Sequence, residues 1–106
     1  MWKESLNLSD FKYIEKLTLE NGMKVSPIIH SYFLTDLTIP NTVTFLNTIY
    51  TPNIKEITIP NSVTGVINGV FYGWNSTQTI NVDNTREATS GWWLGWSGNA
   101  TVNYLR

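Results

Sequence analysis

An eight-residue sequence recurs along this chain and constrains its fold more than any other feature. LTDLTIPN (34–41) and IKEITIPN (54–61) lie twenty residues apart, and weaker copies are IEKLTLEN (14–21) and TQTINVDN (77–84). The aligned copies share four columns of similar residues: Ile14, Leu34, Ile54 and Thr77; Leu17, Leu37, Ile57 and Ile80; Leu19, Ile39, Ile59 and Val82; Asn21, Asn41, Asn61 and Asn84. A sustained period of this length predicts a solenoid in which each copy forms one coil.

Each copy has the pattern of a short, half-buried strand. Apolar residues alternate with polar ones, which predicts strands at 17–19, 37–39, 57–59 and 80–82. The alternation in ATVNY predicts a closing strand at 100–104. Stacked about 4.8 Å apart, these strands would form a parallel sheet that buries one continuous apolar column.

Turn residues follow each predicted strand, and an apolar pair follows each turn. Pro-Asn at 40–41 and 60–61 favours a tight bend. The apolar pairs are expected to line the opposite wall: Met23 and Val25, Val43 and Phe45, Val63 and Val66. The return segments are expected to add bulk to the core: Ile28, Ile29 and Phe33; Ile49 and Tyr50; Val70 and Phe71.

The segment ITIPNSVTGVINGVFYGW (57–74) resembles the leucine-rich repeat of the BspA type, which occurs in many bacterial surface proteins. LTIPNTVTFL in the preceding copy keeps part of that pattern, and INVDNTREATSG with GNATVNY resembles the family's closing segment. Trp74 stands where the family often has Cys, and the copy at 17–36 matches less well.

The repeat and the resemblance together predict a mainly β, right-handed leucine-rich-repeat solenoid with short parallel strands, irregular return segments and an aromatic C-terminal cap. In one domain spanning 1–106, residues 1–13 would be an N-terminal cap, 14–84 four repeats, and 85–106 the C-terminal cap with the closing strand. The resemblance also implies an interaction role, no catalysis, and a cell-surface or secreted location.

Composition excludes several function classes. Seven basic and eight acidic side chains give a formal charge of −1, so no electrostatic argument favours nucleic acid or anionic membrane as a partner. There is no cysteine for a disulfide or thiolate chemistry. The sequence has no apolar run long enough for a membrane helix, and its first residues lack the pattern of a signal peptide.

The outward positions of the predicted strands are the first candidate site, because solenoids often bind partners on their sheet face. The alternative is that β-branched Thr simply suits an exposed strand. The candidate residues are Lys16, Thr18, Asp36, Thr38, Glu56, Thr58, Thr79 and Asn81.

No group of residues suggests an enzyme, a metal site or a cofactor. Asp36 and Glu56 fall on adjacent coils, close enough in principle for a glycosidase pair or a Ca²⁺ site. However, a flat, wet strand face would neither perturb a carboxyl pKa nor supply the six to eight oxygen ligands that Ca²⁺ prefers. His30, the only histidine, has no second catalytic residue in a recognisable motif.

Trp92, Trp93 and Trp96 form the second candidate site, near three glycines. Exposed Trp rings would make them a sugar-binding platform, whereas buried rings would make them a cap over the open end of the core. We favour the cap, because the terminal repeats of such stacks are expected to be atypical. The leading hypothesis is a non-enzymatic protein-binding or adhesion module that uses the sheet face. The alternatives are a carbohydrate-binding domain that uses the Trp cluster, and a structural end-piece of a larger surface or phage protein.

Overall fold

The computed structural model describes residues 15–106, which form a β-solenoid of about four turns. Each coil begins with a strand, and these first strands lie above one another. The coils span 16–35, 36–55, 56–78 and 79–100, and a final strand follows. The predicted cap at 1–13 and Ile14 of the first repeat lie outside the described residues.

The described residues contain nine short strands and one 3₁₀ helix. The strands are β1 (Lys16–Thr18), β2 (Ile29–His30), β3 (Asp36–Thr38), β4 (Phe45–Leu46), β5 (Ile49–Tyr50), β6 (Glu56–Ile59), β7 (Gly65–Val66), β8 (Thr79–Val82) and β9 (Thr101–Tyr104), and the 3₁₀ helix is Arg86–Thr89. The predicted parallel strands are confirmed, with edges that shift by one residue. Thr85 caps the 3₁₀ helix, because its hydroxyl accepts a hydrogen bond from the Ala88 amide.

The strands fall into three columns along the solenoid. The first column, here called the strand face, contains β1, β3, β6, β8 and β9. The second column pairs β4 with β7, and the third pairs β2 with β5, all in parallel. The return segments are thus partly regular: the first contributes β2, the second β4 and β5, and the third β7, while the fourth contains the 3₁₀ helix.

The sequence repeat sets the register of these ladders. Leu17 pairs with Leu37, and Ile57 pairs with Ile80 and through it with Val102, so the predicted offsets of 20 and 23 hold in three dimensions. Parallel stacking at a fixed offset places like residues above one another, which produces continuous apolar columns.

The core lies between the three columns. Some of the residues predicted to be in it are exposed instead. Leu46 is buried while Phe45 faces outward, because the two are adjacent in one strand and point to opposite sides. Phe33 is also exposed, and the neighbouring Leu34 is buried in its place. The buried apolar residues are Leu19, Ile29, Leu34, Leu37, Ile39, Val43, Leu46, Ile49, Ile54, Ile57, Ile59, Val63, Val66, Val70, Phe71, Trp74, Ile80, Val82 and Trp96.

One polar side chain stands in a column of apolar ones. Leu34 and Ile54 are buried at the ends of their coils, but at the end of the longer third coil Thr77 is exposed and Gln78 is buried. The Gln78 amide nitrogen donates to the carbonyls of Thr51 and Ile54, at 3.1 and 2.8 Å. Its oxygen accepts from the Asn75 amide at 3.1 Å. These three bonds replace the apolar contacts that the aligned column predicts.

Candidate functional site

The strand face carries the polar residues that the sequence predicts as a binding surface. Six of the eight predicted residues are exposed: Lys16, Thr18, Asp36, Thr38, Glu56 and Thr58. Thr79 is half-buried and Asn81 is buried, so these two positions are less accessible than the alternating pattern predicts.

Hydrogen bonds between neighbouring coils cover Asn81. Its side-chain nitrogen donates to the Glu56 carboxylate, and its oxygen accepts from the Asn103 amide group at 3.1 Å. Asn103 extends the strand face by one coil, because β9 pairs with β8 in the same direction. The sequence assigned 100–104 to a closing strand but did not place Asn103 in the site, since the repeat itself ends at residue 84.

A cleft opens in the middle of the strand face. Within residues 15–106, ladders join β1 to β3 and β6 to β8 and β9, but no ladder joins β3 to β6. The space between these two strands has a volume of about 420 Å³. Its lining consists of Leu37, Thr38, Ile39, Glu56, Ile57, Thr58 and Pro60. The strand face therefore consists of two separate sheets with an apolar-floored cleft between them.

The same two coils remain joined behind the cleft. Phe45 pairs with Gly65 in the second column, and the Ile67 amide donates to the Leu46 carbonyl at 2.9 Å. In the third column the Ile49 amide donates to the Val70 carbonyl at 2.7 Å. The opening is thus a wedge that is confined to the strand face.

Missing strand pairing gives the cleft its binding chemistry. In a paired strand the backbone N–H and C=O groups are hydrogen-bonded to the neighbouring strands. At strand edges that face a cleft, the same groups can bond to an incoming chain. Here such edges flank an apolar floor formed by Leu37, Ile39 and Ile57, and Thr38 and Thr58 stand beside it. Together they suit an extended segment that offers both backbone groups and small apolar side chains.

The carboxylates of the strand face lie outside any cluster of three potential metal ligands among the described residues. Across residues 15–106, no three side chains from His, Asp, Glu and Cys lie close enough together to hold a metal ion. Glu56 is engaged by Asn81, and Asp36 is exposed on the neighbouring coil.

The three tryptophans near the C-terminus do not form one exposed platform. Trp96 is buried against Phe71, with ring centroids 6.1 Å apart. Trp92 packs edge-on against Trp96 at 4.9 Å and donates its indole N–H to the Thr64 carbonyl at 3.2 Å. Trp93 is 56% exposed. Two of the rings therefore cover core residues, and one is accessible.

Sequence reasoning missed a row of aromatic rings on the third column. His30, Tyr50 and Tyr72 stack one per coil on the outside of the solenoid, with Tyr32 beside them. The available signal was the recurrence of a ring-bearing residue at 30, 50 and 72, close to the repeat period. It was overlooked because Tyr50 was assigned to the core with Ile49.

Comparisons with protein-family models, curated proteins and solved structures give no match for this chain. Among residues 15–106, no helix has the length and apolar character to cross a lipid bilayer.

Proposed function

We propose that this chain is a non-enzymatic binding module that recognises a protein partner through the strand face, with the cleft between β3 and β6 as its main site. The observation that carries the proposal is the missing ladder between two strands whose sequences are almost identical to those of paired strands. The predicted residues Thr38, Glu56 and Thr58 all line this cleft.

A protein partner fits the chemistry of the cleft. The strand edges favour a ligand with a peptide backbone, because main-chain bonds provide affinity while side-chain pockets provide selectivity in strand addition. The floor is apolar, and Glu56 is the charged residue among its lining. An extended, uncharged or weakly basic segment would therefore be accommodated without burying an unpaired charge.

The test is selection from a random linear-peptide phage library on the immobilised chain, followed by affinity measurement of the enriched peptides. The variants Thr38→Lys and Thr58→Lys place a long charged side chain beside the cleft. Each should weaken binding about tenfold or more, a loss that corresponds to about 1.4 kcal/mol.

The matched control is Thr44→Lys, which makes the same change at an exposed threonine outside the cleft. This variant should bind the selected peptides as the unmodified chain does. Binding that survives both cleft substitutions would contradict the proposed site. Failure to enrich any peptide would favour the alternative of a structural end-piece.

We further infer that the solenoid is a right-handed leucine-rich-repeat domain of the BspA type, displayed at a cell surface or secreted. Support comes from the motif ITIPNSVTGVINGVFYGW, whose apolar positions Ile57, Ile59, Val63 and Phe71 are buried as such a repeat requires. A crystal structure with left-handed coils would contradict the family assignment. Surface biotinylation of intact source cells would test the location.

A further inference from the structure

A stack of rings runs along the outside of the third column. The centroids of His30 and Tyr50 are 4.7 Å apart, and those of Tyr50 and Tyr72 are 5.0 Å apart with an angle of 19° between the ring planes. This spacing is close to the distance between paired strands, so each coil contributes one ring to the stack. The row is thus a consequence of the solenoid's own repeat.

Two further features hold the stack in place. Tyr32 meets Tyr50 edge-on at 5.8 Å, and its backbone carbonyl accepts a hydrogen bond from the Asn53 side-chain amide. Gly73 has a φ of +83°, and a Cβ added there would lie 2.5 Å from the Tyr50 ring. The chain therefore leaves room for this ring where any other residue would collide with it.

The stack is accessible at Tyr72, its last ring, and at Tyr32 beside it. Tyr32 and Tyr72 are each 55% exposed. Within the described residues Tyr72 contacts one other ring, that of Tyr50, so its second face has no aromatic partner. Large exposed aromatic rings beside one another are unusual for a surface with no ligand to cover them.

The sequence stretches that carry the stack contain no formally charged residue. No Asp, Glu, Lys or Arg occurs in residues 25–35, 37–54 or 57–82, the stretches that contain the stack. Hydrogen-bonding capacity comes instead from tyrosine hydroxyls, one imidazole and the Asn53 amide. Aromatic faces combined with neutral donors and acceptors match a ligand that has apolar C–H faces and many hydroxyls but no charge.

We propose that the His30, Tyr50 and Tyr72 stack, together with Tyr32, is a binding surface for an uncharged oligosaccharide or polysaccharide. A sugar ring would lie against the open face of Tyr72, and its hydroxyls would bond to the phenol groups and the Asn53 side chain. This site is separate from the cleft, and it differs from the Trp cluster that the sequence suggests for sugars.

The test is affinity electrophoresis in native gels that contain soluble hydroxyethylcellulose, xylan, amylose or galactomannan, with polygalacturonate as the anionic comparison. At least one neutral polymer should retard the chain more strongly than polygalacturonate does. Tyr72→Ala should weaken the affinity about tenfold. Tyr72→Phe should keep most of it, because the ring face remains.

Two control variants separate the site from its competitors. Trp93→Ala removes the exposed tryptophan, and Thr58→Lys alters the cleft, so both should leave retardation unchanged. Near-ultraviolet circular dichroism should show that Tyr72→Ala retains the folded spectrum. Retardation that is lost in Trp93→Ala but kept in Tyr72→Ala would overturn the proposal. So would a chain that no neutral polymer retards, or that polygalacturonate retards best.

Discussion

Gln78 allows a sharp test of the structure, because replacing it with Glu keeps its size but turns a hydrogen-bond donor into an acceptor. Its amide nitrogen donates to two carbonyls while its oxygen accepts from one amide, and the residue is 1% exposed. Gln78→Glu keeps the shape and the acceptor, but at neutral pH it replaces the donor with a negative oxygen that faces two carbonyl oxygens.

The expected loss can be estimated from these bonds. Removing two buried donor bonds costs about 1–3 kcal/mol for each carbonyl that is left unpaired, and a buried, uncompensated charge costs about 3–5 kcal/mol. Because the new carboxyl group can also take up a proton, we expect a loss of about 3–5 kcal/mol at pH 7. This is a large part of the roughly 5–15 kcal/mol that stabilises a typical domain.

The sign of the pH dependence follows from the same geometry. Burial and the facing carbonyls should raise the pKa of the introduced carboxyl in the folded state above its value in the unfolded chain. The stability lost at pH 7 should therefore return as the pH falls towards the unfolded-state pKa of about 4.3, where the protonated carboxyl can donate one bond.

The assay is urea unfolding at several pH values, with tryptophan fluorescence as the readout. The matched control is Asn68→Asp, the same change from amide to acid at an exposed position, which should alter stability by less than about 0.5 kcal/mol. A Gln78→Glu variant as stable as the unmodified chain at pH 7 would refute the buried hydrogen-bond geometry. So would a pH dependence equal to that of the control.

Three further substitutions, one of them with a matched control, test contacts within the solenoid. Gly73→Ala should destabilise the fold by about 2–4 kcal/mol through overlap with Tyr50, whereas Gly22→Ala, with positive φ but open space, should cost about 1 kcal/mol in urea unfolding. Tyr32→Phe should lower the pKa of Tyr50, which hydrogen bonding with Tyr32 now raises above 10.0; alkaline spectrophotometric titration would measure this. The stabilising contribution of that bond should be present below pH 10 and disappear as Tyr50 ionises. Trp74→Phe should cost about 1–3 kcal/mol by leaving a buried carbonyl unpaired, measured by thermal unfolding.

The strand register could be predicted from the sequence because repetition specifies it directly. Leu37 follows Leu17 by 20 residues and Ile80 follows Ile57 by 23, and parallel pairing preserves both offsets. The inward orientation of these residues follows from the period-two alternation of a strand.

The features that escaped prediction lie where the repeat gives no information. A two-residue strand is too short for alternation to fix which side faces inward, so Phe45 and Tyr50 were assigned to the core although both face outward. Gln78 escaped because the longer third coil shifts the buried position by one residue. The cleft escaped because LTIPN and ITIPN predict the same pairing, whereas the structure pairs β3 with β1 and β6 with β8.

Proline at the end of β6 removes one of the bonds that would close the cleft. Where the ladder is complete, the residue after one strand donates to the last residue of the preceding strand: Asp83 to Ile59, and Leu105 to Val82, both at 2.9 Å. Pro60 occupies the position equivalent to Asp83 and has no N–H to give to Ile39. The ladder between β3 and β6 therefore lacks this bond. Pro40 removes the equivalent bond between β1 and β3, which pair nonetheless over three residues, so the proline after β6 is one contribution to the opening and not its whole cause.

This reasoning predicts that Pro60→Asp narrows the cleft. The restored N–H should bond to the Ile39 carbonyl and draw β6 towards β3, so amides of these strands should exchange with solvent at least about tenfold more slowly. Pro40→Asp is the matched control, because β3 already pairs with β1 although it also ends at a proline. If amide exchange were equally slow in Pro60→Asp and Pro40→Asp, the missing N–H of Pro60 would not be what opens the cleft. Slower exchange in Pro60→Asp alone, accompanied by weaker binding of cleft-selected peptides, would tie the opening to function, because a ladder that satisfies its own backbone has no edge left to offer a partner.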